Sequence, residues 1–148
     1  MSWTTEQNLI SARFDAQCPV AAARRDYTAI GGPAFNPPKV DLVTPTNSVW
    51  IRLEVFGVPQ SSRPFAIGGA APNYREGFIV QQIYFPSGTG EAYVSTIVDS
   101  CRTIFHRYNF NPSSPQVESR DAGQPDRVQG EFGEFSRIDV LTPYYVIE

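Results

Sequence analysis

The chain has one histidine, one lysine and two cysteines among its 148 residues. A metal centre built on histidine needs more than one, and neither H-E-x-x-H nor a paired Cys/His spacing occurs, so the common zinc arrangements are excluded. Cys18 and Cys101 stand far apart, outside any C-x-x-C, and read as small buried hydrophobes in a reducing compartment rather than a disulfide framework. No stretch approaches the roughly 18–20 apolar residues of a membrane helix. The opening residues, MSWTTEQNLISARF, hold Glu6 and Arg13 and lack the apolar centre of a secretory signal. A soluble chain made in the cytoplasm, with no membrane partner, is expected. Positive charge is also scarce: the formal net charge is −3, which leaves no electrostatic footprint for wrapping nucleic acid.

What is present is a full complement of apolar residues, 41% of the chain, in a length that suits a single domain, 1–148, with a core that needs no covalent staples. Arginine supplies all the basic residues except Lys39, and aromatics make up 13%. Arginine and aromatics are enriched, and lysine depleted, at the centres of protein–protein interfaces. A GC-rich genome favours arginine codons and gives the same bias, so both readings stand.

Along the chain, Thr4–Gln17 reads as a helix, with Thr4 as N-cap, Gln7 reaching back, and Leu9, Ile10 and Phe14 as its apolar stripe. Prolines and a Gly-Gly pair then enforce extended chain and turns, with a short strand near Asp26–Ile30. SVWIRLEVFG alternates strictly: Val49, Ile51, Leu53 and Val55 face a core, whereas Trp50, Arg52, Glu54 and Phe56 face solvent or a neighbour. A long loop runs from Val58 to Glu76, followed by a strand over Gly77–Phe85. Glu91–Tyr108 is the best-patterned helix, and its stripe is expected to pack on Val49, Ile51, Leu53 and Val55. A strand at Gln116–Arg120, a charged loop at Asp121–Glu134 and a last strand at Phe135–Thr142 complete the order, with Pro143 placing the last strand's end at an edge or a break. The order predicts an α+β fold: a twisted, mostly antiparallel sheet of four to five strands with two helices packed on one face.

Few combinations offer chemistry. Gly88-Thr89-Gly90 begins a dinucleotide fingerprint, but Tyr93 stands where the third glycine belongs and Glu91 puts negative charge at the helix N-terminus, so the segment reads as a turn. No Lys-Ser/Thr pair follows to make a phosphate loop. His106, near a helix C-terminus between Arg102 and Arg107, has no G-x-S-x-G partner and suits the helix dipole. Asp121, Asp126, Glu131 and Glu134 fall in a Gly- and Pro-containing loop without a means of desolvation, so they read as a solvated cluster. The pairs Arg24-Arg25 and Arg102/Arg107 are interrupted by acids and do not form a nucleic-acid stripe. No catalytic residue, cofactor site or metal site is expected.

Several short motifs recur in one order: Phe35-x-Pro37-Pro38, Trp50-x-Arg52, Arg75-x-Gly77 and Pro86-x-Gly88-Thr89-Gly90, set between an amino-terminal helix, an amphipathic helix and a final strand. In this the chain resembles the tail terminator family of long-tailed, siphovirus-like bacteriophages. The resemblance implies a virion structural protein without enzymatic activity. It implies a homo-oligomeric ring, usually a hexamer, at the tail–neck junction, that caps the tail tube, stops its polymerisation and offers a docking surface to the head–tail connector. DNA would pass through the channel without specific binding, since six copies at −3 each place roughly −18 around it. The long loops supply the expected interface residues: Arg63, Phe65, Tyr74, Arg75, Arg127 and Phe132. Two alternatives remain open, a neck or tail-completion protein that joins heads to tails, and a small ligand-binding or hydrolytic domain.

Overall fold

The computed structural model describes residues 2–57, 63–64, 73–111 and 115–147, with the side chains of all of these except 63, 64, 73 and 129–132. Helix α1 (Trp3–Gln17) is capped two residues earlier than expected: Ser2, not Thr4, is the N-cap, its hydroxyl accepting from the Thr5 amide at 3.1 Å. Strand β1 (Arg25–Asp26) is shorter than expected because residues 28–30 coil into a 3₁₀ turn. Strand β2 (Trp50–Gly57) follows, then β3 (Arg63–Pro64) and the long β4 (Asn73–Pro86), which begins four residues before the expected Gly77. Helix α2 (Glu91–Phe105) is followed by β5 (Asn109–Asn111), β6 (Gln116–Ser119), β7 (Asp126–Phe132) and β8 (Phe135–Ile147).

Among the described residues these eight strands form one curled sheet in the order β1-β2-β4-β8-β6-β5, with β3 beside β4 and β7 beside β8. Every pairing is antiparallel except β1 with β2. The α+β expectation holds; the strand number exceeds the expected four to five because the loops around it contribute short strands. The charged segment 121–134, expected to be a loop, contains β7. Its polar residues pair with β8 along an edge, where one face is solvated and no apolar alternation is required.

Pro143 lies inside β8 rather than at its end, and the register explains how. Its carbonyl accepts from the Arg120 amide at 2.8 Å, so the residue's hydrogen-bonding side faces away from β4, into the gap between β6 and β7. The amide hydrogen that proline lacks would have pointed into that same gap, and the β4 ladder loses nothing.

Alternation along β2, β4 and β8 divides the sheet into two faces. On the helix face, Ile51, Leu53, Ile79, Ile83, Ile138, Val140 and Val146 meet Ile10 and Phe14 of α1 and Val94, Ile97, Cys101 and Phe105 of α2 in one buried cluster. Helix α2 lies principally over β8 and β4. Helix α1 runs beside β2, with Trp3 near Gly57 at one end and Asp15 bonded to Arg25 at the other. The apolar side of β2 therefore lies beside α1, whereas the stripe of α2, expected to pack on Val49, Ile51, Leu53 and Val55, lies chiefly over β8 and β4. No helix of the described residues is long and apolar enough to cross a membrane.

A buried carboxylate ties α1 to the sheet. Glu6, 1% exposed, accepts from Arg75 of β4 and from the Tyr144 hydroxyl of β8 at 3.2 Å. Burial first, and then the Glu6 charge, push the Tyr144 phenol well above its ordinary pKa, so it stays a donor. The Tyr144 ring lies across Gly77, where an added Cβ would sit 2.5 Å from Cε1 of that ring and 2.6 Å from the Phe56 carbonyl oxygen. Arg75-x-Gly77 is thus a structural unit: one residue binds the carboxylate and the other makes room for the ring above it. Gly77→Ala is expected to cost about 2 kcal/mol or more through overpacking, measured as a fall in midpoint in urea unfolding. Gln81 and Thr142, fully buried on the helix face, have side-chain oxygens and an amide without hydrogen-bond partners among the described residues. Gln81→Met, similar in volume, is expected to raise stability by about 1–2 kcal/mol in the same measurement.

Candidate functional site

The face of the sheet turned away from both helices carries a banded set of side chains, set by the register of β2, β4 and β8. Its rows read Trp50–Tyr84–Arg137, Arg52–Gln82–Asp139, Glu54–Val80–Leu141 and Phe56–Phe78–Pro143; Tyr145 and Ile147 then stand opposite Glu76 and Tyr74. From Tyr84 to Tyr74 the face extends roughly 30 Å at about 3.3 Å per residue.

One end is an arginine–aromatic cluster. Trp50 and Tyr84 stack with ring centroids 3.9 Å apart and planes inclined by 5°. Phe35 tilts onto Trp50 from one side and Phe135 meets it edge-on. The Arg52 guanidinium lies 5.5 Å from the Trp50 ring centre and binds Asp26 at 2.7 Å. Arg137 clamps Asp139 through two bonds of 2.7 Å. Gln82 links the rows, donating to Glu54 and accepting from the Tyr84 hydroxyl, both at 3.1 Å. Burial raises the Tyr84 phenol above its ordinary value, so it acts as a donor and not as a base.

The other end repeats the theme. Tyr74 and Tyr145 stack at 5.7 Å, Arg120 lies 5.2 Å from the Tyr145 ring centre and donates to the Tyr74 hydroxyl, and Tyr74 donates to Glu76 at 2.8 Å. Tyr145 donates to Glu118, which, with burial, pushes its phenol up to about 12. Between the clusters lies an apolar band of Phe56, Phe78, Val80, Leu141 and Pro143, in which Phe56 is 48% and Leu141 41% exposed. Ion pairs and hydrogen bonds fix both ends of this face, while its centre offers apolar contact. The chemistry available there is recognition.

The expected interface residues do not form one patch. Tyr74 is buried in the second cluster. Arg75, the next residue, points to the helix face and binds Glu6. The backbone of Arg63 pairs opposite Tyr74, and its side chain lies outside the described residues, as does the whole of Phe65. Arg127 sits on β7 opposite Ile138, on the helix side, 3.6 Å from Glu91 of α2. Phe132 pairs opposite Phe135 at the end of β7, its side chain also outside the described residues. Arg63, Tyr74 and Arg75 therefore lie near one end of β8, and Arg127 and Phe132 near the other. Sequence reasoning did not single out Trp50, Arg52, Tyr84 and Arg137 as site residues. The strict alternation of SVWIRLEVFG, with tryptophan and arginine on its polar side, was the available signal.

His106 caps α2: its Nδ1 accepts from the Ala122 amide at 3.1 Å and its Nε2 lies 4.0 Å from Asp121. It lines an open cleft of about 390 Å³ with Asp99, Arg102, Thr103 and Ala122, where it holds the chain after β6 in place. In the glycine turn, Gly88 and Gly90 both adopt positive φ and the Thr89 hydroxyl is bonded to the Pro86 carbonyl at 2.6 Å, the geometry of a tight strand-to-helix turn. Among the described residues no three His, Cys, Asp or Glu side chains are grouped to hold a metal ion.

No family model matches the sequence, and no curated protein matches it. A solved structure is similar over almost the whole length: the match covers 95% of this chain and 94% of that one, with a TM-score of 0.58 and 18% identity. The likeness is one of fold, and the name that structure carries states no activity, ligand or partner.

Asp26, register partner of Arg52 across the β1–β2 pair, anchors the banded face from its β1 edge. Burial alone would raise its carboxyl, but the Thr28 amide and hydroxyl and the Arg52 guanidinium outweigh it and hold the pKa below the ordinary value. A pKa depressed on folding adds stability that is complete above the unfolded carboxyl's pKa of about 4 and is lost as pH falls through the folded value. Asp26→Asn is expected to lose about 1–3 kcal/mol near neutral pH. Its melting temperature should converge with that of the native chain in acid; curves that stay parallel would refute the assignment.

Proposed function

We propose that the chain is a structural, non-enzymatic protein of the tail terminator kind. Copies close into a ring, sixfold by the resemblance, that caps the tail tube of a long-tailed bacteriophage at the tail–neck junction. There the ring stops addition of tube subunits and presents a surface to the head connector. The observation that carries the reading is the sheet's asymmetry. Both helices cover one face, and the other presents ordered arginine–aromatic clusters around an exposed apolar band. Surfaces of that composition suit protein contacts, and the phenols on it are held as donors by burial and neighbouring carboxylates.

The placement of the candidate residues gives further support. Arg63 lies near one end of β8 and Arg127 and Phe132 near the other, while Tyr74 and Arg75 are engaged within the chain. A stop to polymerisation needs one surface that accepts the last subunit and a separate one that does not continue the series, and a heterologous contact that closes into a ring supplies both.

Electron micrographs of particles assembled without this product test the reading. Tail tubes longer than normal are expected; tails of correct length lying detached from full heads would assign the protein to head–tail joining instead. Reversing Arg63 and Arg127 together to glutamate is expected to give tails of abnormal length. Normal tails in that variant would remove those two residues from the interface.

A further inference from the structure

Among the described residues, the most exposed large apolar side chains are not on the sheet. Leu42 and Val43, 90% and 92% exposed, stand at the tip of a turn before β2. The turn is held firmly for so exposed a segment. The Asp41 carboxylate accepts from the amides of Val43 and Thr44, both at 2.9 Å, and those two bonds hold its pKa below the ordinary carboxylate value. The buried Ser48 hydroxyl accepts from the Asp41 amide at 2.7 Å and donates to the Lys39 carbonyl at 3.0 Å. Two adjacent hydrophobes are thus fixed in solvent by hydrogen bonds on both sides of them, an arrangement that lowers the entropy cost of inserting them into a partner.

The apolar band of Phe56, Phe78, Leu141 and Pro143 is the complementary feature. It lies on the same chain, yet the tip cannot cover it. Ser48, which anchors the turn, precedes β2, and Phe56 is near that strand's far end, roughly 25 Å away at the rise of an extended strand. The charges also match. Lys39, the sole lysine, is exposed beside the tip and has no ion pair among the described residues. Glu54 borders the band on the same face; it accepts from Gln82 and feels the Arg52 and Arg137 charges, but makes no direct ion pair among the described residues.

We infer that the Leu42–Val43 tip of one copy inserts into the Phe56–Leu141 band of a second copy, with Lys39 meeting Glu54 across the contact. Donor and acceptor are different surfaces on each chain, so the contact is heterologous and repeats from copy to copy. The inference rests on the proposed ring and supplies its subunit-to-subunit contact.

The single lysine makes the contact readable. A mixture of isotopically heavy and light full-length chain, treated with a zero-length carbodiimide coupler and analysed by mass spectrometry, is expected to yield Lys39–Glu54 links joining heavy to light peptides. Leu42→Asp in the tip, or Leu141→Asp on the exposed band, should each reduce those links and weaken self-association at least tenfold, since each puts a charge where an aliphatic side chain is buried. The two variants mixed together should recover a heterodimer and nothing larger, because one intact tip then meets one intact band. Circular dichroism melts close to that of the native chain would show that both variants still fold.

Links confined within single isotopes, or variants that associate as the native chain does, would overturn this contact. If the native chain assembles without the link, the ring stands on some other surface. If it neither links nor assembles, the contact fails and the tail-length experiment decides the ring alone.

Discussion

Side chains alternate along a strand, so pairing β4 on both sides commits three strands to one choice of faces. Its partners run from Trp50↔Tyr84 to Gly57↔Gly77 on β2 and from Pro86↔Phe135 to Tyr74↔Ile147 on β8. A slip of one residue on either side would turn the aliphatic row at Ile79 and Ile83 into solvent and drive Tyr84 and Gln82 under the helices. The Glu6 clamp guards against that slip. It needs Arg75 and Tyr144 in adjacent strands on the helix face, with Gly77 beneath the ring, and only the observed register supplies all three. The buried carboxylate thus also locates α1, because Glu6 reaches its partners only when the helix lies along β2.

Arginine usage acquires a third explanation beside codon bias and interface enrichment. Each of the ten arginines whose side chains are described has a partner within the chain. Four donate to backbone carbonyls of irregular segments or of a helix end: Arg13 to Ile104, Arg24 to Thr46 and Val49, Arg25 to Val20, and Arg102 to Gly123. A planar fork with several donors can satisfy two acceptors at once in a fixed geometry, and an ammonium group does this less well. The proline-rich segment between α1 and β2 lacks long ladders, and Arg24 and Arg25 brace it. Scarcity of lysine is what such a connection scheme produces.

The sequence made the fold class legible where periodicity was strong. The β2 alternation and the 3-4 stripe of α2 identified a half-buried strand and an amphipathic helix, and their faces were assigned correctly. Boundaries failed where long-range contacts override local signals. Thr4 is as good a cap as Ser2 by composition, and only tertiary packing of Glu6, Ile10 and Phe14 decides the first turn. Strand β7 was hidden because an edge strand of Asp, Arg, Gln and Gly has no alternation to read, and Pro143 because its carbonyl's direction depends on which strands lie alongside. The interaction face was half visible in Trp50, Arg52, Glu54 and Phe56. Its other half comes from register partners as near in sequence as Phe78 to Phe56 and as far as Arg137 from Trp50, whose alignment is a property of register and not of any short motif.

Under the proposed ring, a small contact is an asset. Two aliphatic side chains and one ion pair bury far less surface than a stable dimer needs, so isolated copies would associate weakly, enough for a covalent coupler to trap the contact but not for a lasting ring. Closing a ring changes the arithmetic, since the last subunit makes two contacts for one loss of translational freedom, and docking on a tube end raises the effective concentration of the rest. The clusters at Trp50/Tyr84 and Tyr74/Tyr145 are already stacked and hydrogen-bonded before any partner arrives, which spares the ordering cost that mobile side chains would add. Weak pairwise contacts between rigid surfaces give assembly that is nearly all-or-none and dependent on a template, as a cap that must wait for a finished tube requires.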